Sequence, residues 1–217
     1  MANPNLKGGF KFVRRLDGGT GAPQLMEYPL ATTNEPLAKG DLVSLMAAGS
    51  VDRTCTDGGA LHDQTCVIGV CDSILYKDAN GRLHDASYVG AAQGDDTTTL
   101  GNGTGAIVRV ISGVGNVFSV QCDDGGATAI SQALVGNAAD PVALEATDPT
   151  NLGVGGISNM ELDTSTAGTG ADLFHIIGLD KQVGMVFSST EADSRYGRVL
   201  VVFNEHLFAQ TPTAAGI

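Results

Sequence analysis

Tryptophan is absent from this sequence, and only 5% of its residues are aromatic. A packed interior must therefore rest on Val, Ile, Leu and Ala, and there is little material for a sugar-stacking groove. Basic residues are scarce: 12 Lys and Arg stand against 24 Asp and Glu, a net charge of −12. That balance opposes binding to nucleic acid or an anionic membrane, since both depend on neutralising phosphate. No apolar run approaches the ~20 residues a membrane helix needs. The stretch Met1–Gly9 has no apolar core or cleavage site of the secretory kind, so the expected place of synthesis is the cytoplasm.

The common catalytic and cofactor motifs are missing too. No Gly-Lys-Ser/Thr occurs, so there is no P-loop, and Gly101, Gly103 and Gly105 lack the spacing and following helix that cradle a pyrophosphate. The histidines His62, His84, His175 and His206 sit in no His-Glu-x-x-His or serine-nucleophile setting. The expectation is a protein that is not an enzyme and takes no cofactor. Cys55, His62, Cys66 and Cys71 lie close in sequence, but no Cys-x-x-Cys knuckle is present and their spacings match no common zinc site. Cys66 and Cys71 are an odd number apart, so a regular strand points them to opposite faces. Cys55 with Cys66, across a loop, is the more feasible disulfide; the other reading is reduced, part-buried thiols.

What the chain does have is glycine, 30 residues of it, separating short runs of β-branched side chains. The longest is Cys66–Tyr76, followed by the turn Lys77-Asp78-Ala79-Asn80-Gly81 and a return run to Val89. Ile68, Val70, Ile74 and Tyr76 recur at period two, interrupted only by Asp72, which puts them on one face of a strand. The Asn-Gly pair tolerates positive φ and allows the reversal. A second hairpin is expected from 106–111 and 117–122, with Phe118, Val120 and Cys122 on a dry face and Val117, Ser119 and Gln121 on a wet one. Further strands are expected at 25–30 (an edge strand, because of Pro29), 41–46, 158–163, 173–179, 183–187 and 198–203, the last apolar on both faces and so central. A short helical turn is expected at 130–135.

About ten short strands with Gly-rich loops predict an all-β barrel or sandwich. Residues 17–210 read as a single β-rich domain, with 90–105 the best place for a sub-boundary, and 211–217 as a loose tail. Residues 1–16 stand apart in charge. Lys7, Lys11, Arg14 and Arg15 all precede the first acid, Asp17, and leave eight basic residues against 24 acidic ones in the remainder. This start has two readings: an extended docking arm (Lys7, Phe10, Lys11, Phe12, Arg14, Arg15), or a solvated strand whose cations keep a sheet edge soluble.

Several short segments resemble a family of tailed-bacteriophage head proteins, the capsid decoration (cement or head-stabilising) proteins. They are Met1-Ala2-Asn3-Pro4-Asn5, Gly9-Phe10-Lys11-Phe12-Val13-Arg14, Gly40-Asp41-Leu42-Val43-Ser44-Leu45, Phe118-Ser119-Val120-Gln121, Gly136-Asn137-Ala138-Ala139-Asp140, Met160-Glu161-Leu162-Asp163, Phe174-His175-Ile176-Ile177-Gly178-Leu179 and Val199 to His206. Residues 47–66 and 90–105 lie outside the likeness. The resemblance implies an all-β protein on the outer capsid surface of the virion, made in the host bacterial cytoplasm. It implies a homo-oligomer, a trimer above all, that bridges major capsid protein subunits and stabilises the shell. An acidic body suits solubility at high copy number, and the basic start suits docking by strand addition or into a groove. The competing expectations are another virion β-protein of the tail or a fibre, and a carbohydrate-binding or carbohydrate-active module.

Overall fold

The computed structural model describes residues 8–19, 21–31, 36–46, 49–54, 66–77, 80–89, 105–123, 129–142, 158–165, 167–168, 172–182, 185–188 and 196–204. These form an all-β structure of fifteen strands, with no α-helix among the described residues and no closed barrel. One antiparallel sheet runs in the order β1 (Lys11–Arg15), β10 (Asn116–Gln121), β15 (Arg198–Phe203), β14 (Phe174–Leu179), β11 (Ala138–Ala139). The other runs β2 (Leu25–Pro29), β9 (Ile107–Ser112), β6 (Val67–Lys77), β4 (Leu42–Leu45), β5 (Val51–Arg53), with β7 (Leu83–Ala86) paired to the far end of β6. Two small ribbons, β3 (Leu37–Ala38) with β8 (Tyr88–Val89) and β12 (Pro141–Val142) with β13 (Glu161–Leu162), complete the set. Both sheets draw strands from either side of residues 90–105, so the described elements do not divide into two units there.

Two hydrophobic clusters hold this together. The first lies between the sheets: Phe118, Val120, Phe174, Ile176, Val199 and Val201 from the five-stranded sheet meet Leu42, Val67, Val70 and Ile111 from the other. The second lies on the opposite face of the six-stranded sheet, where Val43, Val51, Ile68, Cys71, Ile74, Val108 and Val110 are closed over by Leu30, Leu37 and Val89. That sheet therefore buries both faces, and it curls until Leu30, just past β2, bridges Val51 of β5. Among the described residues this is the only bridge between the two edges. Aromatics are few but concentrated. Phe10 stacks on Phe174 (ring centroids 4.7 Å), Phe174 meets Phe203 (4.6 Å), Phe203 meets Phe118 (5.6 Å), and Phe12 packs edge-on against Phe118 (6.4 Å).

The β6–β7 hairpin forms with Tyr76 opposite His84 and Lys77 opposite Leu83. The single apolar face expected on β6 does not. Ile68, Ile74 and Tyr76 point into the second cluster, whereas Val70 joins Val67 in the first. Irregularities in pairing explain this: the register shifts against β4 across Ile68 and against β9 across Asp72. Each extra residue flips the side-chain parity that follows it. Between them Gly69 passes so close to β9 that a Cβ there would collide with the Ile111 carbonyl oxygen.

The expected second hairpin is also overturned. β9 and β10 follow one another but do not pair; β9 is hydrogen-bonded between β2 and β6, and β10 between β1 and β15. The turn at 112–116 is a corner from one sheet to the other, held by the Asn116 side chain donating to the Ser112 carbonyl at 2.8 Å. Nor is the polar face of β10 wet, since Ser119 and Gln121 are buried. The helical turn appears as a 3₁₀ turn at Gln132–Leu134, while 185–188 contain no strand.

Where the two sheets meet, Gly9 and Gly40 cross closely: the Phe10 N–H donates to the Gly40 carbonyl at 2.9 Å, and a Cβ on Gly9 would strike both that oxygen and Ser158. Beneath this crossing lies a fully buried ion pair, Arg53 Nε to Asp41 Oδ2 at 3.2 Å. Asp41 also accepts from the Ser158 hydroxyl at 2.5 Å and the Ala38 N–H at 2.7 Å, and Arg53 Nη2 donates to Asn159 at 3.1 Å. Burial pushes the Asp41 carboxyl above its ordinary value, and Arg53, Ser158 and the Ala38 N–H oppose that. Among the described residues Arg53 Nη1 has no hydrogen-bond partner.

Candidate docking surface

Phe10 sits at 2% exposure in the first cluster, and β1 is hydrogen-bonded to β10. Residues 8–15 are thus part of the body, and the expected arm over 1–16 is corrected to that extent. Five phenylalanines in mutual contact hold the segment down. Lys7 and residues 1–6 lie outside the described residues.

Within β1 the register runs Lys11 to Ser119, Phe12 to Phe118, then Arg14 to Val117 and Arg15 to Asn116. Val13 is an extra residue, a β-bulge, and it changes which side chains share a face. Cross-strand partners lie on the same side of a sheet, so Lys11 and Arg14 both stand on the outer face with Ser119 and Val117. Phe12 points inward with Phe118. Without the bulge Lys11 and Arg14 would alternate. β1 is an edge: β10 occupies one side, and no described strand occupies the other.

A cleft of about 590 Å³ opens alongside that free edge, between β1 and the start of β2. Phe10, Phe12, Pro23 and Leu25 line its sides, and Val70 and Ile111 lie deeper. Lys39 and Asp72 form a 2.7 Å ion pair at the same cleft. A neighbouring hollow of about 620 Å³ is lined by Arg15, Leu16, Gln24 and Val114. Four of the seven exposed large hydrophobics of the described chain, Val13, Leu16, Leu25 and Val114, belong to this end of the molecule.

On the outer face the buried polar row continues from β1. Arg198 donates through Nε to the Ser119 hydroxyl and through Nη2 to the Ser119 carbonyl, both at 3.0 Å, and Ser119 donates to Asp180 at 2.5 Å. Gln121 donates to Glu161 at 2.6 Å. Burial lowers the Lys11 ammonium pKa, and the nearby Arg198 charge lowers it further. Lys11 and Arg14 make no ion pair among the described residues, whereas Arg15 pairs with Asp17 at 2.7 Å.

Of the residues singled out by sequence, Lys11, Arg14 and Arg15 are exposed on one edge strand, Lys11 and Phe12 line the cleft, and Phe10 is core as well as cleft wall. Leu16 and Val114 escaped notice because single exposed hydrophobics in turns carry no periodic signal, and Leu25 because it read only as the first residue of an edge strand. Cys55 and His62 lie outside the described residues, so the Cys55–Cys66 pairing does too. Cys66 is half-buried just before β6, and Cys71 and Cys122 are buried free thiols whose pKa burial pushes up. Among the described residues no three His, Cys, Asp or Glu side chains converge as metal ligands. No protein-family model, curated protein or solved structure matches this chain.

Proposed function

We propose that this chain is a structural protein of a tailed-phage head. In this reading it binds the outer capsid surface as a homo-oligomer and stabilises the shell by bridging major capsid protein subunits. The observation that carries it is the bulged edge strand β1, which sets Lys11 and Arg14 beside an apolar cleft on an otherwise acidic body. The segment-by-segment likeness to decoration proteins supports the same reading. Each exposed ionic contact contributes about 0.2–1 kcal/mol. An oligomer on a repeating lattice multiplies such weak contacts through effective concentration. No chemistry is required of the protein beyond fastening.

The test is co-sedimentation of the purified protein with heads of the encoding phage that lack it, followed by heating of the decorated and bare heads. Saturable binding and a higher disruption temperature are expected. Arg14→Glu, at an exposed position outside the core, should weaken binding, and added salt should do the same. Heads that neither bind the protein nor gain heat resistance would remove the reading.

A further inference from the structure

Resting on that reading, we propose that the free edge of β1 accepts a strand from its partner: an extended segment with alternating apolar and carboxylate side chains, added as a sixth strand to the five-stranded sheet. The two faces of β1 dictate the alternation. An added strand would lie about 4.8 Å from β1, with successive side chains on opposite faces. On the inner face it meets the cleft, walled by Phe12 and Leu25 with Ile111 behind them. On the outer face it meets Lys11 and Arg14, brought to the same side by the bulge at Val13.

Three features favour this occupant. β1 presents one row of backbone N–H and C=O groups away from β10, and strand addition is the usual way such a row is satisfied. The cleft beside it is apolar and opens where the new strand's inward side chains would fall. Lys11 stands near Arg198, a like charge, and neither Lys11 nor Arg14 has an anionic partner among the described residues. A carboxylate above Lys11 would relieve that repulsion. A nucleic-acid occupant fits less well, because three cations on a strand edge face a chain of net charge −12.

Hydrogen exchange read by mass spectrometry on the free protein and on decorated heads tests this. The expected result is at least tenfold slower exchange, on binding, of those amides of residues 11–15 that point away from β10. Leu25→Lys, at a position 41% exposed, should weaken head binding at least tenfold without changing thermal stability, whereas Met46→Lys, on the β4–β5 turn, should leave binding as it was. Heads that bind while residues 11–15 exchange at the free-protein rate would overturn the strand proposal and leave the head-binding reading standing, as would full binding by Leu25→Lys. Release of the protein by nuclease would also overturn it, in favour of nucleic acid. Failure to bind heads at all would remove both.

Discussion

Replacing Phe10 by alanine separates a strand built into the core from a free arm. The ring is 2% exposed and stacks on Phe174 at 4.7 Å, and Phe174 in turn touches Phe203. Removing a buried phenylalanine costs about 3–5 kcal/mol, part of it from the cavity left behind. Domains are commonly stable by only about 5–15 kcal/mol, so the loss is a large fraction of the whole. For a chain of this size it lowers the melting temperature by roughly 6–20 °C. With no tryptophan to report, urea unfolding is best followed by circular dichroism. The midpoint should fall by about 1–2 M with the slope unchanged. Phe12→Ala, at a half-buried position packed edge-on against Phe118, should cost clearly less. If Phe10→Ala unfolds at the wild-type urea concentration, residues 8–15 are not part of the core and the position assigned to β1 is wrong. A deletion of residues 1–15 cannot test docking, because it removes Phe10 and an entire strand.

Arg53→Met leaves the Asp41 carboxylate buried without its counter-charge and should cost about 3–5 kcal/mol in urea unfolding. Adding Asp41→Asn, which keeps an acceptor for Ser158 and Ala38, should recover at least half; a single-variant loss below about 1 kcal/mol would show the pair to be inconsequential. Gly69→Ala forces a Cβ against the Ile111 carbonyl and should destabilise by about 1–3 kcal/mol. Gly21→Ala, in open space, should be near neutral, and equal effects at the two positions would refute the close approach of β6 to β9.

The fold class was legible because period-two apolar runs and glycine-rich breaks recur from end to end. Individual strands came through where an apolar run was unbroken, as in β15, whose two-sided apolar stretch sits third of five in its sheet. Pro29 correctly marked β2 as an edge, since its missing N–H suits only a strand with one neighbour. Pairing was far less legible. Two alternating runs joined by a five-residue turn read as a hairpin, but the sequence does not reveal that β2 and β6 have already taken both edges of β9. Bulges were invisible for a similar reason: nothing about Ile68, Asp72 or Val13 announces an extra residue, yet each decides which face the next side chain takes. The candidate site shares that limit. Its cations were evident from charge alone, while the cleft depends on how two sheet edges approach.

The most direct measurement is a cryo-electron microscopy reconstruction of the mature virion at side-chain resolution. The expected result is this chain on the outer shell in repeated copies, with the free edge of β1 against a major capsid protein segment and an acidic side chain over Lys11 or Arg14. A virion whose shell lacks the chain, or which carries it only in the tail, would contradict the account.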